Sequence, residues 1–294
     1  MTTIKAFIKG HPLLSYFALA FAISWGAILL AVGLGPGGFT ATPQQFKMAM
    51  PYAVPTMLLG PSVAAILMTG LLYGRAGFRE LGSRLRRWRV GARWWAAALL
   101  IAPLVFAVVF LGLSLISPEF LPRIFITEDK VSLVLMGIAI GLPVGILEEL
   151  GWTGFAIPRM RLRYGALTTG LFLGVLWEAW HLLQGYWSSG VTSGEISLAL
   201  WLSTWLVGAL VGYLVAFRVL MVWVYEHTGS LLVAMLMHTS LVAATFILFP
   251  PLAVEANLIS GFACAAGLWV VVAVLAVATR GHLSRRSPLR GRVA

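Results

Sequence analysis

The chain has 294 residues, of which 60% are hydrophobic and 11% are charged, and its formal net charge is +11. A soluble domain is typically about 45–50% apolar and about 25% charged, so this composition excludes an ordinary soluble protein. The positive charge does not indicate nucleic-acid binding, because that would need a folded basic domain and the sequence contains none. The composition predicts an integral membrane protein whose surroundings are lipids.

Eight apolar stretches follow one another along the chain. Because about 20 apolar residues cross the hydrocarbon core as a helix, each stretch predicts one membrane span. The predicted spans are 12–34, 52–73, 94–116, 131–156, 165–184, 196–217, 228–250 and 256–279. Short segments of alternating hydrophobicity, typical of a membrane β-barrel, are not seen. We therefore expect an all-α, polytopic protein that forms a single membrane domain over residues 1–294.

The first span resembles a signal peptide in one respect, since Lys5 and Lys9 precede an apolar stretch. The apolar run continues to Leu34, which is too long for the hydrophobic region of a signal peptide. We expect this helix to be retained.

Basic residues are distributed unevenly between the predicted loops. With the N-terminus in the cytoplasm, the opposite side keeps only Lys47, Arg123 and Lys130. The cytoplasmic loops and tails then hold Lys5, Lys9, Arg75, Arg79, Arg84, Arg86, Arg87, Arg89, Arg93, Arg159, Arg161, Arg163, Arg280, Arg285, Arg286, Arg290 and Arg292. Positive residues favour the cytoplasmic side. The pattern predicts both termini inside and a multi-pass protein of the cell membrane, with Arg218 near the inner end of the sixth span.

Five ionisable side chains interrupt the predicted spans. They are Glu148, Glu149, Glu178, His181 and His238. An ionisable group at membrane depth costs roughly 2.5–3.5 kcal/mol even on the lenient insertion scale, so such residues normally face the protein interior and mark function. Carboxylates and imidazoles on three helices are suited to hydrolysis or to metal binding.

The two adjacent glutamates point about 100° apart around their helix, so they are expected to have different roles. One would face a central cavity, and the other would anchor a neighbouring helix. Glu148 and His238 both lie about 15 Å from the predicted cytoplasmic boundary at 1.5 Å per residue. We expect a polar pocket near the middle of the membrane, open to the cytoplasm.

Three motifs carry a resemblance to a known family. The segments EELGWTGF at 148–155 and WEAWH at 177–181, followed by His238, resemble the motifs of the CAAX protease and bacteriocin-processing (CPBP) family. These intramembrane proteases are related to the type II CAAX prenyl endopeptidase, and their motifs are Glu-Glu-x-x-x-Arg, Phe-x-x-x-His and His-x-x-x-Asn or Asp. The resemblance covers residues 131–245 and implies an eight-helix core.

The resemblance implies an endopeptidase that hydrolyses a peptide bond of a membrane-associated protein or peptide. Its catalytic residues would be Glu148, Glu149, His181 and His238, with Glu148 and His181 activating water and His238 stabilising the oxyanion. The sequence leaves open a metal-free glutamate protease or a metalloprotease with Zn²⁺ held by Glu148, His181 and His238. No other cofactor site is predicted.

The chain departs from the family motifs at three positions. Thr153 stands where Arg is expected, so Glu149 would be protonated or would depend on a partner from another helix. Trp177 replaces Phe and keeps an aromatic wall. Val242 replaces Asn or Asp and has no donor, so Thr245 and Gln184 become the candidates for an oxyanion contact by their helical spacing.

Glu178 is predicted to support the site, either structurally or by orienting His181. Two other classes of function stay open. The missing Arg and Asn favour a non-catalytic family relative acting as a membrane scaffold or immunity factor. A transporter would also bury Glu and His, but it would usually show inverted repeats or broken helices at corresponding positions of two halves, and the sequence indicates neither. The sequence does not identify the substrate or the oligomeric state.

Overall fold

The computed structural model describes residues 3–280 and Leu283; the predicted tail residues Arg285, Arg286, Arg290 and Arg292 lie outside the described part. Within these residues the protein is helical and contains no strand. Its α-helices are α1 (Thr3–Gly10), α2 (Pro12–Gly33), α3 (Pro43–Leu85), α4 (Ala92–Ser114), α5 (Arg123–Ile126), α6 (Lys130–Gly151), α7 (Ile157–Met160), α8 (Ala166–Trp180), α9 (Leu182–Ser188), α10 (Leu198–Val211), α11 (Tyr213–Thr228), α12 (Leu231–Leu248) and α13 (Val254–Ala278).

The described helices are long and apolar enough for a polytopic membrane protein. Seven helical segments are each long and apolar enough to cross a membrane. Helices α8 and α9 are separated by a bend, and if the two together form one span, the number of spans is eight. This pair bends by 46° at His181, which lies between the two helices. The predicted all-α membrane fold is confirmed.

Two predicted spans have different boundaries in the structure. The span predicted at 52–73 belongs to α3, which begins earlier because Thr42 and Gln45 form a capping box, and which is kinked at Gly74. The span predicted at 196–217 is interrupted, since α10 ends at Val211 and Gly212 has an extended backbone. Helix α11 then continues to Thr228. Residues 213–217 were predicted to end a span, but in the structure they begin the buried helix α11.

Helix α6 is defined at both ends by local interactions. The Asp129 side chain accepts a hydrogen bond from the backbone N–H of Ser132 and so caps the first turn. Hydrogen bonding to Ser132 lowers the pKa of this exposed carboxyl. The other end passes into a π-helical segment, Trp152–Ala156, directly after the glutamate pair. Such π-helical turns often occur at functional sites.

A stripe of glycines brings α6 and α12 into close contact. Gly137, Gly141 and Gly145 follow one another at four-residue intervals and face the α12 backbone. A Cβ atom at Gly141 would lie 2.7 Å from the Thr239 carbonyl oxygen. Small residues let membrane helices approach closely. This packing places Glu149, one turn beyond the stripe, beside His238.

A second pair of glycines sets the contact between α8 and α11. Cβ atoms at Gly170 and Gly174 would lie 2.7 Å from the Cα atom of Val219 and 2.9 Å from that of Val215. The close approach brings the C-terminal end of α8 against the first half of α11. It therefore positions Trp177 next to Arg218.

Candidate active site

Glu149 is the centre of a buried ion-pair cluster. Its side chain is fully buried, and its Oε1 atom lies 2.8 Å from His238 Nδ1 and 2.9 Å from an Arg218 guanidinium nitrogen. The other carboxylate oxygen accepts hydrogen bonds from the same Arg218 nitrogen and from the Thr153 hydroxyl. The carboxylate thus joins α6 to α11 and α12, and Glu149 does not line the cavity described below.

Arg218 is the site residue that sequence reasoning missed. It was expected near the inner end of a span, but it is completely buried because α11 continues to Thr228. Its guanidinium provides the cation that Thr153 does not, so Glu149 depends on a partner from another helix. The sequence does contain an indication of this role, because Arg218 is the single charged residue in the apolar run at 213–224. A charged residue in such a run normally faces the protein interior.

Glu148 has different surroundings from its neighbour. Its Oε2 atom accepts hydrogen bonds from the indole N–H groups of Trp152, at 3.1 Å, and Trp177, at 2.6 Å. Its Oε1 atom makes no hydrogen bond within the described protein. Because Glu148 also lines a cavity of about 340 Å³, this carboxylate has one oxygen fixed by the protein and one left for a ligand.

Trp177 joins the charged groups of the site. Its indole N–H donates to Glu148, which a phenylalanine at this position could not do. The Arg218 guanidinium carbon lies 4.0 Å from the Trp177 ring centroid. The ring also makes edge contacts with His238, at 5.0 Å between centroids, and with His181, at 5.8 Å. The replacement of Phe by Trp therefore adds a polar contact to the aromatic wall.

The hydrogen bonds of the two histidines indicate which ring nitrogen of each is left free. His181 Nδ1 lies 2.8 Å from the Trp177 carbonyl oxygen, which can only accept, so Nδ1 carries a proton. In neutral His181 the other nitrogen, Nε2, is then an acceptor. His238 Nδ1 lies 2.8 Å from the Glu149 carboxylate and is likewise assigned as the donor. In both rings Nε2 is the nitrogen available to a ligand.

One cavity brings together nearly all the side chains predicted for the site. Its lining includes Glu148, Trp177, Glu178, His181, Gln184, His238, Val242 and Thr245. Of the predicted site residues, Glu149 alone lies behind this lining, within the ion-pair cluster. The three motifs therefore meet at one place in the fold.

The cavity extends away from the end of the bundle that carries most of the basic loops. Beyond the motif residues it is lined by Val144, Ser188 and Phe246, which lie towards the opposite end of their helices. On the basic side the interior is filled by large side chains such as Phe155 and Phe217, both essentially fully buried. The lining thus reaches towards the end opposite the basic loops, and access from the cytoplasm stays a prediction.

The predicted supporting residues differ in whether their polar groups form hydrogen bonds within the protein. The Thr245 hydroxyl donates to the Leu241 carbonyl oxygen at 3.0 Å. The Gln184 side chain makes no hydrogen bond with the described residues, so its amide is free in the cavity. Glu178 makes no hydrogen bond to His181, whose Nδ1 atom is held by the Trp177 backbone. The prediction that Glu178 orients His181 is wrong.

The predicted zinc ligands do not form a metal-binding group. Among residues 3–280 and Leu283, no three His, Cys, Asp or Glu side chains are arranged to hold a metal ion. The protein uses one oxygen of Glu148 and the Nδ1 atoms of His181 and His238, so Glu148 Oε1 and both Nε2 atoms are unused. The conditional assignment of Zn²⁺ to Glu148, His181 and His238 stays a prediction.

Comparison with known families identifies the part of the chain that holds this cavity. Residues 130–244 match the family model described as type II CAAX prenyl endopeptidase Rce1-like. This segment is an Rce1-like domain. It contains Glu148, His181 and His238, and it confirms the resemblance predicted from the motifs. The match supports a CAAX-type intramembrane protease fold for this segment, and the apolar helices indicate a lipid environment. No curated protein matches the chain.

Proposed function

We propose that this protein is an endopeptidase of the cell membrane that hydrolyses a peptide bond in a membrane-associated protein or peptide. One observation carries the proposal: Glu148, His181 and His238 line the same cavity, and each keeps one polar atom unused by the protein. A carboxylate oxygen and two ring nitrogens at one cavity are the groups needed for general acid–base hydrolysis.

Glu148 and His181 are proposed to activate the attacking water. Water donates one proton towards Glu148 Oε1 and the other towards His181 Nε2, which holds its oxygen against the carbonyl carbon of the substrate. As the new C–O bond forms, Glu148 takes a proton from the water. It then gives this proton to the amide nitrogen as the C–N bond breaks, so that a carboxylic acid and an amine leave. General acid–base catalysis of this kind contributes about 10²–10⁴-fold.

His238 and Gln184 are proposed to stabilise the negative charge on the tetrahedral intermediate. The Glu149 carboxylate holds Nδ1 of His238, so Nε2 is left for the cavity and donates to the oxyanion when it carries a proton. The Gln184 amide supplies a second donor, which Val242 lacks. In a water-poor site such preorganised donors are worth more than in water.

A reconstituted system tests the proposed reaction. Purified protein in lipid vesicles would be incubated with a library of synthetic membrane-spanning peptides in H₂¹⁸O. We expect new peptide C-termini that carry ¹⁸O with the wild-type protein, and a loss of about 10²–10⁴-fold with Glu148→Gln. Glu119→Gln, an exposed carboxylate outside the site, serves as the control and should retain full activity.

The Glu148→Gln variant keeps the interactions that hold this side chain. A glutamine carbonyl oxygen can still accept from both Trp152 and Trp177, so the fold should be unchanged. Equal cleavage by the wild-type and Glu148→Gln proteins would contradict the proposal. If a folded, reconstituted wild-type protein cleaves no peptide of the library, the non-catalytic scaffold becomes the better account.

A further inference from the structure

Glu178 is a carboxylate that the proposed reaction does not use. It lies on α8, one residue after Trp177 and three before His181. Its side chain forms no hydrogen bond or ion pair with any residue in the described part of the chain. The neighbouring carboxylates differ, since Glu148 is held by two indoles and Glu149 by a guanidinium. An unpaired carboxylate at membrane depth is costly, so a ligand that pairs with it would be strongly favoured.

Glu178 lies between two cavities. It lines the cavity of Glu148 and also a second cavity of about 340 Å³, and Tyr213 and Thr245 are likewise shared by both. The second cavity lies between α10, α11, α12 and α13 and reaches the exposed residues Asn257 and Phe262. A chain that occupies the active-site cavity can therefore place a side chain past Glu178 into this second space.

The charges around the second cavity favour a cation. Its lining contains no Lys, Arg or His, and Glu178 is its one formally charged side chain. Gly208 faces Glu178 from α10, where an added Cβ would be 4.0 Å from a Glu178 oxygen, so space is left beside the carboxylate. Within the second cavity, a positive group would thus meet one carboxyl group and no Lys, Arg or His in the lining.

We infer that Glu178 is a specificity residue, which binds the Lys or Arg side chain of a substrate peptide next to the bond to be cut. This inference rests on the proposed endopeptidase function. Residues three apart on a helix have Cβ atoms about 5–6 Å apart, so a basic side chain one or two residues from a bond held at His181 reaches Glu178.

Matched peptides test this selectivity. Membrane-spanning peptides identical except for Lys, Gln or Glu beside the cleaved bond would be compared in vesicles. We expect the wild-type protein to prefer Lys over Gln by about tenfold or more in kcat/KM. Glu178→Gln should abolish this preference, so that the Lys and Gln peptides are cleaved with equal kcat/KM, and Glu178→Lys should favour the Glu peptide. Asn257→Leu, in the same second cavity, is the control and should keep the preference.

A binding measurement separates this inference from the proposed reaction. Photo-crosslinking of the Lys and Gln peptides to Glu148→Gln protein should favour Lys, and the added Glu178→Gln change should remove the difference. That result supports the cation site even if no peptide is cleaved, in which case the proposed function alone fails. An unchanged Lys preference after Glu178→Gln, in cleavage or in crosslinking, would overturn the inference, as would the absence of any Lys preference in the Glu148→Gln protein.

Discussion

At the scale of residues, the adjacent Glu148 and Glu149 have different surroundings because an α-helix turns by about 100° between them. One carboxylate lines the cavity, and the other pairs with Arg218 and His238 behind it. The sequence predicted this division, because adjacent positions cannot face the same way. It could not predict the partner of Glu149, since Arg218 is 69 positions away and only the packing of α11 brings it near.

Replacing Glu149 by Gln should destabilise the protein, whereas Glu148→Gln should not. Loss of the Glu149 charge leaves the Arg218 guanidinium buried without a counter-ion, and breaking such a pair costs about 3–5 kcal/mol. The free energy of unfolding, measured by SDS titration in mixed micelles, would show the difference. The double variant Glu149→Gln with Arg218→Met should recover most of the loss. Equal stability of the two single variants would contradict the ion-pair assignment.

Gln184 and Thr245 were equivalent candidates by spacing, but the structure distinguishes them. Thr245 donates its hydroxyl proton to Leu241, and the Gln184 amide is free. Gln184→Leu should therefore lower kcat by about 10²–10³-fold, as expected for the loss of one oxyanion donor, with little change in KM. Thr245→Val is the matched control and should change kcat little. Steady-state kinetics on a cleaved peptide measure both kcat values. A larger loss of kcat in Thr245→Val than in Gln184→Leu would assign the oxyanion contact to Thr245.

At the scale of elements, two glycine-lined helix contacts position the site. The α6–α12 contact sets the distance from Glu149 to His238, and the α8–α11 contact sets that from Trp177 to Arg218. The glycine spacing is visible in the sequence at 137, 141 and 145 and at 170 and 174. Which helices these stripes face was not predictable, because spacing identifies a close-packing face without identifying its partner.

Gly141→Ala tests the first contact. The added Cβ would lie 2.7 Å from the Thr239 carbonyl oxygen, so the helices must separate. We expect the free energy of unfolding to fall by about 1–3 kcal/mol, as for other overpacked interiors. Gly112→Ala is the control, because no atom lies within 4 Å of a Cβ at that position in α4. If both variants unfold alike in SDS titrations, the close contact does not determine stability.

At the scale of the whole molecule, composition and apolar length were sufficient to predict an all-α polytopic protein. The breaks at His181 and Gly212 were not predicted, because the apolar run continues through both positions while the helices do not. The cavity lies on the side of the motif residues opposite the basic loops, which the motifs alone could not indicate. If the basic end is cytoplasmic, the cavity extends into the other half of the membrane.

The orientation can be measured with single cysteines in a Cys264→Ala background. A membrane-impermeant maleimide should label Glu128→Cys in intact cells, and it should label Arg163→Cys only after permeabilisation. Both positions are exposed loop residues at opposite ends of the bundle. The reverse labelling pattern would place the basic loops outside and would contradict the predicted topology.

The central claim is that the cavity of Glu148, His181 and His238 cuts peptide bonds in the membrane. The most direct test compares the protein termini present in membranes of cells expressing the wild-type protein or Glu148→Gln at matched, folded abundance. The account predicts new termini that appear only with the wild-type protein. Identical termini in the two samples would contradict it.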